Sequence, residues 1–351
     1  MASGRNRRVI YAIIAVVCVI VAGAAGAACW LHAKAAASLP IESGVVELEG
    51  LGARVQVSRD GLGIPTIAGQ SREDVSRALG FVHAQERFFQ MDLMRRAAAG
   101  ELSELVGGAA MGMDREVRLH RFRDRAGRVI DAESASNVKM IEAYSAGVNA
   151  GLGALASKPF EYMLVGTEPE PWTPEDTVLV IYAMFLDLND EMGSYEATES
   201  TMYGVLPREL AEFLAPAGCE WDAPVIGEPW PTPPVPGPEV MDLSKQPSRG
   251  ACRAASERMA HGSNNWAVAG SRTEHGGALL ASDMHLGIAV PIIWYRAVLE
   301  WPDWRGGENR VIGVTLPGAP AVIAGSNTHV AWGFTNSYGD WVDLVIVEPD
   351  P

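Results

Sequence analysis

Residues 260–273 read AHGSNNWAVAGSRT and place a serine directly after a glycine, deep inside the chain. A nucleophile elbow, G-x-S-x-G, would need glycines two residues either side of Ser263, but those positions hold His261 and Asn265. The Gly262–Ser263 pair therefore has another meaning, or no catalytic meaning.

The serine separates two regions of different character. Before it, residues 216–260 contain PWPTPPVPGPEV at 229–240, whose prolines remove backbone donors and fix φ, so we predict an extended surface linker. After it, β-branched and aromatic runs alternate with turn residues and predict short strands. These runs are NNWAVAG, GALLAS, IIWYRAVLEW, RVIGVTL, AVIAGSN, HVAWGFTNS and WVDLVIVEP.

Residues 41–215, upstream of the linker, are predicted to be mostly helical. The stretch from Ser71 to Gly107 has apolar residues at helical spacing, and Asp74 lies three residues after the serine in a cap-like start. The helical pattern continues over 134–215, with a break at EPEPWTPED before a further helix.

The region begins differently, at residues 45–57. Apolar and polar residues alternate there around Gly50 and Gly52. This period of two predicts two short strands joined by a turn.

Residues 1–40 predict a membrane anchor or a signal sequence. Arg5, Arg7 and Arg8 precede a run from Val9 to Leu31 without a charged side chain, which is longer than the roughly 20 residues that cross a bilayer as a helix. A cleaved signal peptide has a shorter apolar region of roughly 7–15 residues, so we favour a signal anchor with its basic end in the cytoplasm. A secreted or periplasmic product after signal cleavage is the alternative, and a lipoprotein signal ending at Cys29 ranks third.

Charge and cysteine content limit the partners. The formal net charge is -15, with 28 basic against 43 acidic residues, which argues against nucleic acid because phosphate binding depends on clustered Lys and Arg. The four cysteines show no zinc-type spacing. Cys219 and Cys252 form the one conceivable disulfide, and free thiols are equally compatible.

A serine that follows a linker and begins a strand region suggests a particular chemistry. At a chain's own N-terminus, the α-amine of a serine, with an unperturbed pKa of about 8, can act as the base that activates the hydroxyl. Freeing that amine at Ser263 requires cleavage of the bond before it. Gly262 would allow the strained backbone that attack by the serine oxygen needs.

Three ordered motifs resemble the penicillin acylase family of N-terminal-nucleophile hydrolases. GSNNWAVAGSRT at 262–273 is similar to the family's processing site, and VSRDGLGIPTIAG at 57–69 resembles its R-D-x-x-G-x-P-x-I segment. AQERFFQMDLMRRAAAGELSELVG at 84–107 is similar to its A-Q-[DE]-R-x-x-Q-M stretch and the following R-R. The resemblance extends from about residue 45 to the last residue.

The resemblance implies a fold and a domain organisation. The fold is α+β, a four-layer αββα N-terminal-nucleophile hydrolase fold, incomplete here, with a largely helical α-chain region at 41–215. Autocatalytic cleavage of the Gly262–Ser263 bond would remove a spacer at 216–262 and leave α and β chains as a heterodimer. The β chain would begin at Ser263, and residues 263–351 would be its truncated start.

The resemblance also implies catalytic roles. Ser263 matches the nucleophile, and Asn336 matches the residue whose backbone N–H donates to the oxyanion. His285 in ALLASDMHLG matches an active-site histidine of the cephalosporin acylase branch, where it could orient the nucleophile's hydrogen bonds. A hydrogen-bonded imidazole without a catalytic role is the alternative.

A structural calcium site is implied in the same way. Asp340 and Asp343 match two carboxylate ligands, the carbonyl of Val342 matches a third, and Glu196 matches the ligand from the α chain. Glu199 is a possible substitute for Glu196. No organic cofactor is implied.

The expected function is hydrolysis of linear amides. An exported, self-processing amidohydrolase would release acyl groups from amines such as β-lactam nuclei, acyl-homoserine lactones or acylated peptides. Family members are longer, and a catalytic asparagine lies beyond the point that corresponds to Pro351, so we expect this chain to be a fragment. The alternatives are a truncated, inactive family member that serves as a membrane-anchored binding protein and an ordinary serine hydrolase that uses Ser263 with His285.

Overall fold

The computed structural model describes residues 2–190, 192–221, 224, 226–245, 262–336, 339, 341–345 and 347–348. The chain divides into two compact units. The first comprises Met1–Met184, Asn264–Asp283 and Gly287–Phe334. The second comprises Phe185–Ser263, Met284–Leu286 and Thr335–Pro351.

Helices dominate the described residues before the linker, as predicted. The α-helices are α1 (Ala2–Ala37), α2 (Arg72–Ala99), α3 (Ser103–Val106), α4 (Met111–Val117), α5 (Phe122–Ala132), α6 (Ala135–Gly153), α7 (Phe160–Val165), α8 (Pro174–Leu188), α9 (Ser194–Val205) and α10 (Arg208–Leu214). Short 3-10 turns lie at Gly107–Ala110, Arg118–His120, Leu243–Lys245 and Gly270–Arg272.

Helix α1 contains the apolar run. Its segment Tyr11–Ala37 has 27 residues and contains an 18-residue window with a mean hydropathy of 2.6 and no buried part, so by length and composition it could cross a bilayer. A signal sequence near an N-terminus would have the same properties. The anchor and the cleaved signal therefore both stay compatible with α1.

The predicted start of α2 is confirmed, and its end is earlier than expected. The Ser71 side chain accepts a hydrogen bond from the backbone N–H of Asp74, so it caps the helix. Gly100 adopts the left-handed conformation at φ 68° and ends the helix, so the pattern up to Gly107 contains a helix, a turn and the short α3.

Helices α2 and α6 approach each other closely because glycines line their contact. A Cβ atom on Gly147 of α6 would lie 1.9 Å from the carbonyl oxygen of Arg77, and one on Gly80 of α2 would lie 2.3 Å from that of Tyr144. Any side chain at these positions would push the helices apart.

The strands form a mixed sheet in the first unit and a separate pair. Their bounds are β1 (Gln56–Arg59), β2 (Pro65–Ala68), β3 (Gly262–Val268), β4 (Leu279–His285), β5 (Tyr295–Pro302), β6 (Glu308–Thr315), β7 (Val322–Ser326) and β8 (Ala331–Trp332). The six-stranded sheet has the order β1-β2-β5-β6-β7-β8, and β3 pairs with β4. Strands β2 and β5 are parallel, and the other pairs of the large sheet are antiparallel.

Most of the strands predicted after the linker are confirmed, but the last two differ from prediction. HVAWGFTNS contains only the two-residue β8 among its described residues 329–336, and WVDLVIVEP contains no strand among its described residues 341–345 and 347–348. The described part of 229–240 lacks helix and strand, in agreement with a linker.

The two strands predicted at 45–57 are wrong. Regular strand begins only at Gln56. Upstream, the backbone N–H of Ile41 donates to the Gln85 side chain, and that of Gly52 donates to the Asp74 carboxylate at 2.8 Å. Side chains of α2 therefore accept hydrogen bonds from this segment.

The core of the first unit joins helices to the sheet. Buried side chains from α2, α6, β2 and β5 form one cluster, which includes Leu79, Phe88, Tyr144, Ile67 and Leu299. Residues on both sides of the linker thus share one hydrophobic core.

The paired arginines of the 84–107 motif belong to this interior. Arg95 and Arg96 both donate to the fully buried Asp92, which also accepts the Tyr162 hydroxyl at 2.5 Å. Arg95 forms a second ion pair with Asp176 at 2.7 Å. This motif therefore maintains the packing of the first unit, because each buried charge has several partners.

Candidate active site

Ser263 lies in the second unit, one residue after the start of β3 at Gly262. Its hydroxyl oxygen accepts a hydrogen bond of 2.9 Å from the backbone N–H of Asn336. Both residues are half-buried. The structure thus brings together the predicted nucleophile and the predicted oxyanion donor, which are far apart in sequence.

The side chain of Asn336 makes a second contact within the same unit. Its amide Nδ2 donates to the backbone carbonyl of Leu188 at 3.0 Å. Leu188 is the last residue of α8. Our sequence analysis missed this contact, because a backbone acceptor at a helix end has no sequence signature.

His285 lies beside the residue that precedes Ser263. A Cβ atom on Gly262 would lie 3.3 Å from the imidazole Nδ1 of His285, which is the last residue of β4. The absence of a side chain at position 262 leaves room for this approach. The imidazole is therefore close to the peptide bond that the resemblance identifies as the processing site.

The predicted calcium ligand Glu196 has an unusual environment. Its Oε2 atom is buried and has no hydrogen-bond partner among the described residues. A Cβ atom on Gly193 would lie 3.3 Å from this oxygen and 3.1 Å from the Leu344 side chain, so Glu196 is near the segment that follows Val342 and Asp343. A buried, unpaired carboxylate oxygen suits a cation.

The other predicted ligands are only partly described. Val342 is half-buried and Asp343 is exposed, whereas Asp340 lies outside the described residues. No group of three or more His, Cys, Asp or Glu residues that could hold a metal ion occurs within the described part of the chain. Cys252 also lies outside it, so its pairing with Cys219 stays a hypothesis.

Helix α9, which carries Glu196, is fixed at its beginning by Asp190. This carboxylate accepts the Ser194 hydroxyl and the Tyr195 backbone N–H, each at 2.8 Å. Although burial raises the pKa of Asp190, the hydrogen bonds from the backbone and from Ser194 outweigh burial and lower it below its usual value. The sequence analysis did not identify Asp190, although an acidic residue before a helix is a detectable signal.

Glu199, the alternative ligand, has a different partner. A hydrogen bond to Glu199 is the main cause that raises the pKa of Tyr195. Glu199 is therefore engaged by a neighbouring side chain, unlike the buried oxygen of Glu196.

Comparisons with known proteins show which family the chain resembles. The family model "Penicillin amidase" matches residues 54–351. The chain is 32% identical to the acyl-homoserine lactone acylase QuiP of Pseudomonas aeruginosa, over 92% of this chain and 38% of that protein. It is 36% identical to the penicillin acylase 2 proenzyme of Pseudomonas sp. strain SE83, over 88% of this chain and 40% of that protein.

A solved structure was also matched. A chain of the thermostable penicillin G acylase from Alcaligenes faecalis is 26% identical, with a TM-score of 0.42 over 50% of this chain and 98% of that chain.

The chain belongs to the penicillin amidase family. This membership confirms the expected α+β fold of the N-terminal-nucleophile hydrolases. The helices before the linker and the sheet agree with that class. The chain spans about two fifths of the length of the curated relatives it matches, 38% and 40% of the two named above.

Proposed function

We propose that the complete protein is a self-processing amidohydrolase whose nucleophile is an N-terminal serine. The contact of 2.9 Å between the Asn336 N–H and the Ser263 hydroxyl supports this most directly. This contact places an oxyanion-type donor, the Asn336 N–H, next to the candidate nucleophile Ser263, which directly follows a glycine. The chain is one of the penicillin amidase family. The relatives named above are acylases, which cleave amide C–N bonds.

The first step would create the nucleophile. The Ser263 oxygen attacks the carbonyl carbon of Gly262, an ester bond forms, and the Gly262–Ser263 C–N bond breaks as the serine amine takes up a proton. Water then hydrolyses the ester and leaves a carboxylate on Gly262. The product has a free α-amine beside the Ser263 hydroxyl.

The second step would use that amine as the base. The α-amine accepts the hydroxyl proton while the serine oxygen attacks the acyl carbon of the substrate amide. The Asn336 N–H then donates to the oxygen that becomes negatively charged. The protonated amine returns its proton to the leaving amine, and water releases the acyl group from the ester.

His285 has two possible roles in this scheme. Its imidazole lies beside Gly262, where it could orient the hydrogen bonds of Ser263 during cleavage. It could equally be a hydrogen-bonded residue of the site without a chemical role. The His285→Ala variant distinguishes these roles, because only the first predicts slower cleavage.

The names of the relatives support a substrate class. Two of them are named for acyl-homoserine lactones and for penicillin, both of which contain a linear N-acyl amide. We propose an N-acylated amine of this kind as substrate. Nucleic acid does not fit, because the net charge is -15.

We also propose a structural calcium site with Glu196 as the ligand from the α chain. Its buried, unpaired Oε2 supports Glu196 over Glu199, which already contacts Tyr195. The carbonyl of Val342 and the carboxylates of Asp340 and Asp343 would be the other ligands that this chain supplies. The ion would supply positive charge that holds the segment after Asn336 against α9.

The two chains would stay together after cleavage. Strand β2 from the α-chain region pairs with β5 of the β-chain region, with Ile67 opposite Leu299. Both of these side chains are buried in the shared core. The cut would therefore produce a heterodimer.

The apolar part of α1 supports attachment to a membrane, with the remainder outside the cytoplasm. We expect the protein in the membrane fraction after alkaline washing. A soluble mature chain that begins after residue 28 would show instead that α1 is a cleaved signal.

Intact mass of the complete precursor tests the proposal. We expect a β chain that begins Ser-Asn-Asn-Trp, and we expect Ser263→Ala to lose both cleavage and hydrolysis of N-acyl homoserine lactones and N-acyl p-nitroanilides. Ser263→Cys should permit cleavage but leave amide turnover poor.

Other outcomes favour the alternatives. An uncut and active chain would contradict the proposal and favour a serine hydrolase that uses Ser263 with His285. A chain that neither cleaves nor hydrolyses any member of the panel would leave the membrane-anchored binding protein.

A further inference from the structure

The side chain of Asn336 has no role in the proposed chemistry, which uses only its backbone N–H. Nevertheless, Nδ2 donates to the Leu188 carbonyl at 3.0 Å, while the backbone nitrogen of the same residue donates to the Ser263 hydroxyl at 2.9 Å. One residue thus joins the end of α8 to the proposed nucleophile. All three residues belong to the second unit.

Leu188 offers a well-directed acceptor because it ends a helix. The last four carbonyls of an α-helix have no partner within the helix, and they point along its axis. In the same turn, the Phe185 carbonyl accepts the backbone N–H and the side-chain amide of Asn189. Asn336 caps the Leu188 carbonyl, three residues further along, from a distant segment of the chain.

The backbone around Asn336 needs such a constraint. Residues 333–336 have no regular secondary structure, so no ladder of hydrogen bonds fixes the plane of the peptide whose N–H faces Ser263. The hydrogen bond from the Asn336 side-chain amide to the Leu188 carbonyl restrains the same residue that carries the backbone donor. Displacement of a catalytic group by about 1 Å can lower a rate about 100-fold.

We propose that Asn336 is a positioning residue. Its side chain binds the C-terminal carbonyl of α8 and thereby aims the backbone N–H of Asn336 at the substrate oxygen that becomes negatively charged. The inference rests on the proposed function of Ser263. It adds that helix α8 of the α chain sets the geometry of the oxyanion donor of the β chain.

The Asn336→Ala variant separates the side chain from the donor, because alanine keeps the backbone N–H. We expect the kcat of the cleaved enzyme to fall roughly tenfold to 100-fold, with KM changed less than about twofold, since the donor acts mainly on the transition state. Cleavage at Gly262–Ser263 should slow as well. The substrate is the member of the N-acyl homoserine lactone and N-acyl p-nitroanilide panel that the wild type hydrolyses fastest, and rates are normalised to the cleaved fraction.

Asn189→Ala is the matched control. It removes a hydrogen bond of 3.1 Å from a side-chain amide to a carbonyl of the same helix turn. The structure gives Asn189 no contact with Ser263 among the described residues. We expect a similar fall in Tm for the two alanine variants and a kcat within about twofold of wild type for Asn189→Ala. Equal kcat losses in both variants would reduce Asn336 to a structural cap.

Two further variants keep the test decisive. Asn336→Gln retains the amide donor and should recover part of the kcat that alanine loses. If the alanine variant does not accumulate as folded protein, the nearly isosteric Asn336→Asp takes its place. This variant keeps the backbone N–H but, when ionised, lacks the side-chain donor to Leu188, so it should show the same loss of kcat. Wild-type kcat in Asn336→Ala or in Asn336→Asp overturns the inference, whereas a wild type that neither cleaves nor hydrolyses overturns the proposed function.

Discussion

His83 and Tyr144 share a hydrogen bond of 2.7 Å between imidazole Nδ1 and phenol oxygen, in the core of the first unit. The Thr315 hydroxyl donates to the Tyr295 carbonyl and accepts from His83 Nε2 at 3.0 Å, so Nε2 carries the proton. Nδ1 therefore accepts from Tyr144, whose oxygen accepts the Gly318 N–H at 2.8 Å. This chain of bonds requires a neutral imidazole.

Stability should consequently fall on mild acidification. Burial, reinforced by the charge of Arg87, lowers the pKa of His83 from 6.5 to about 3, so the unfolded histidine binds a proton that the folded one does not. The free energy of unfolding should therefore fall by up to about 1.4 kcal/mol per pH unit as the pH decreases from 6.5 towards 5. Denaturant unfolding between pH 7 and 5 measures this slope.

The control for this experiment is His83→Gln, whose amide can occupy a similar position without titrating. It should lack the slope that His83 contributes. An unchanged slope in this variant would show that other groups cause the pH dependence.

Gly147 should be intolerant of substitution. In Gly147→Ala, the new Cβ atom would meet the Arg77 carbonyl at 1.9 Å, and backbone cannot move aside as a side chain can. We expect a loss of roughly 1–3 kcal/mol or more in unfolding free energy. Gly153 is the matched control in α6, because beyond its chain neighbours and the nearby backbone of its own helix no atom lies within 4 Å of the position that an added methyl carbon would take, and alanine there should be neutral or stabilising.

Calcium should stabilise the protein through Glu196. At a calcium concentration 100 times Kd, bound ion adds about 2.7 kcal/mol to the free energy of unfolding, so a chelator should lower the Tm of the wild type. Glu196→Gln should start from the lower Tm and lose this response, whereas Glu199→Gln should keep it. Calorimetry with calcium, and with magnesium as the comparison, measures the effect, and an equal calcium response in all three proteins would exclude Glu196 as a ligand.

The cleaved chains should elute together under native conditions. Ile67 is fully buried where β2 pairs with β5, so a charge in Ile67→Asp should separate the chains or prevent folding. Val57→Asp changes an exposed position on the neighbouring strand and should leave the heterodimer intact. Gel filtration followed by denaturing electrophoresis decides, and separate elution of wild-type chains would contradict the expectation.

Local signals predicted much of the fold. Ser71 and Asp74 indicated the start of α2, and most strands after the linker lie where the β-branched and aromatic runs predict them. The strands predicted at 45–57 failed because distant side chains, such as Asp74, accept the hydrogen bonds of that backbone. Such partners are absent from the local pattern.

The site was predictable in part. The motifs identified Ser263 and Asn336, and the structure brings them into contact. The bond from Asn336 to Leu188 was not predictable, because any residue can supply a backbone carbonyl. Which carbonyl is available depends on where α8 ends in three dimensions.

The parallel pairing of β2 with β5 also affects biosynthesis. Thr66 lies opposite Val298, so the ribosome must synthesise more than two thirds of this chain before the two strands can meet. Until then β2 has an unpaired edge, and contacts between such distant residues form slowly. The β2–β5 ladder can therefore form only after synthesis has passed the Gly262–Ser263 peptide bond, which lies between the two strands in sequence.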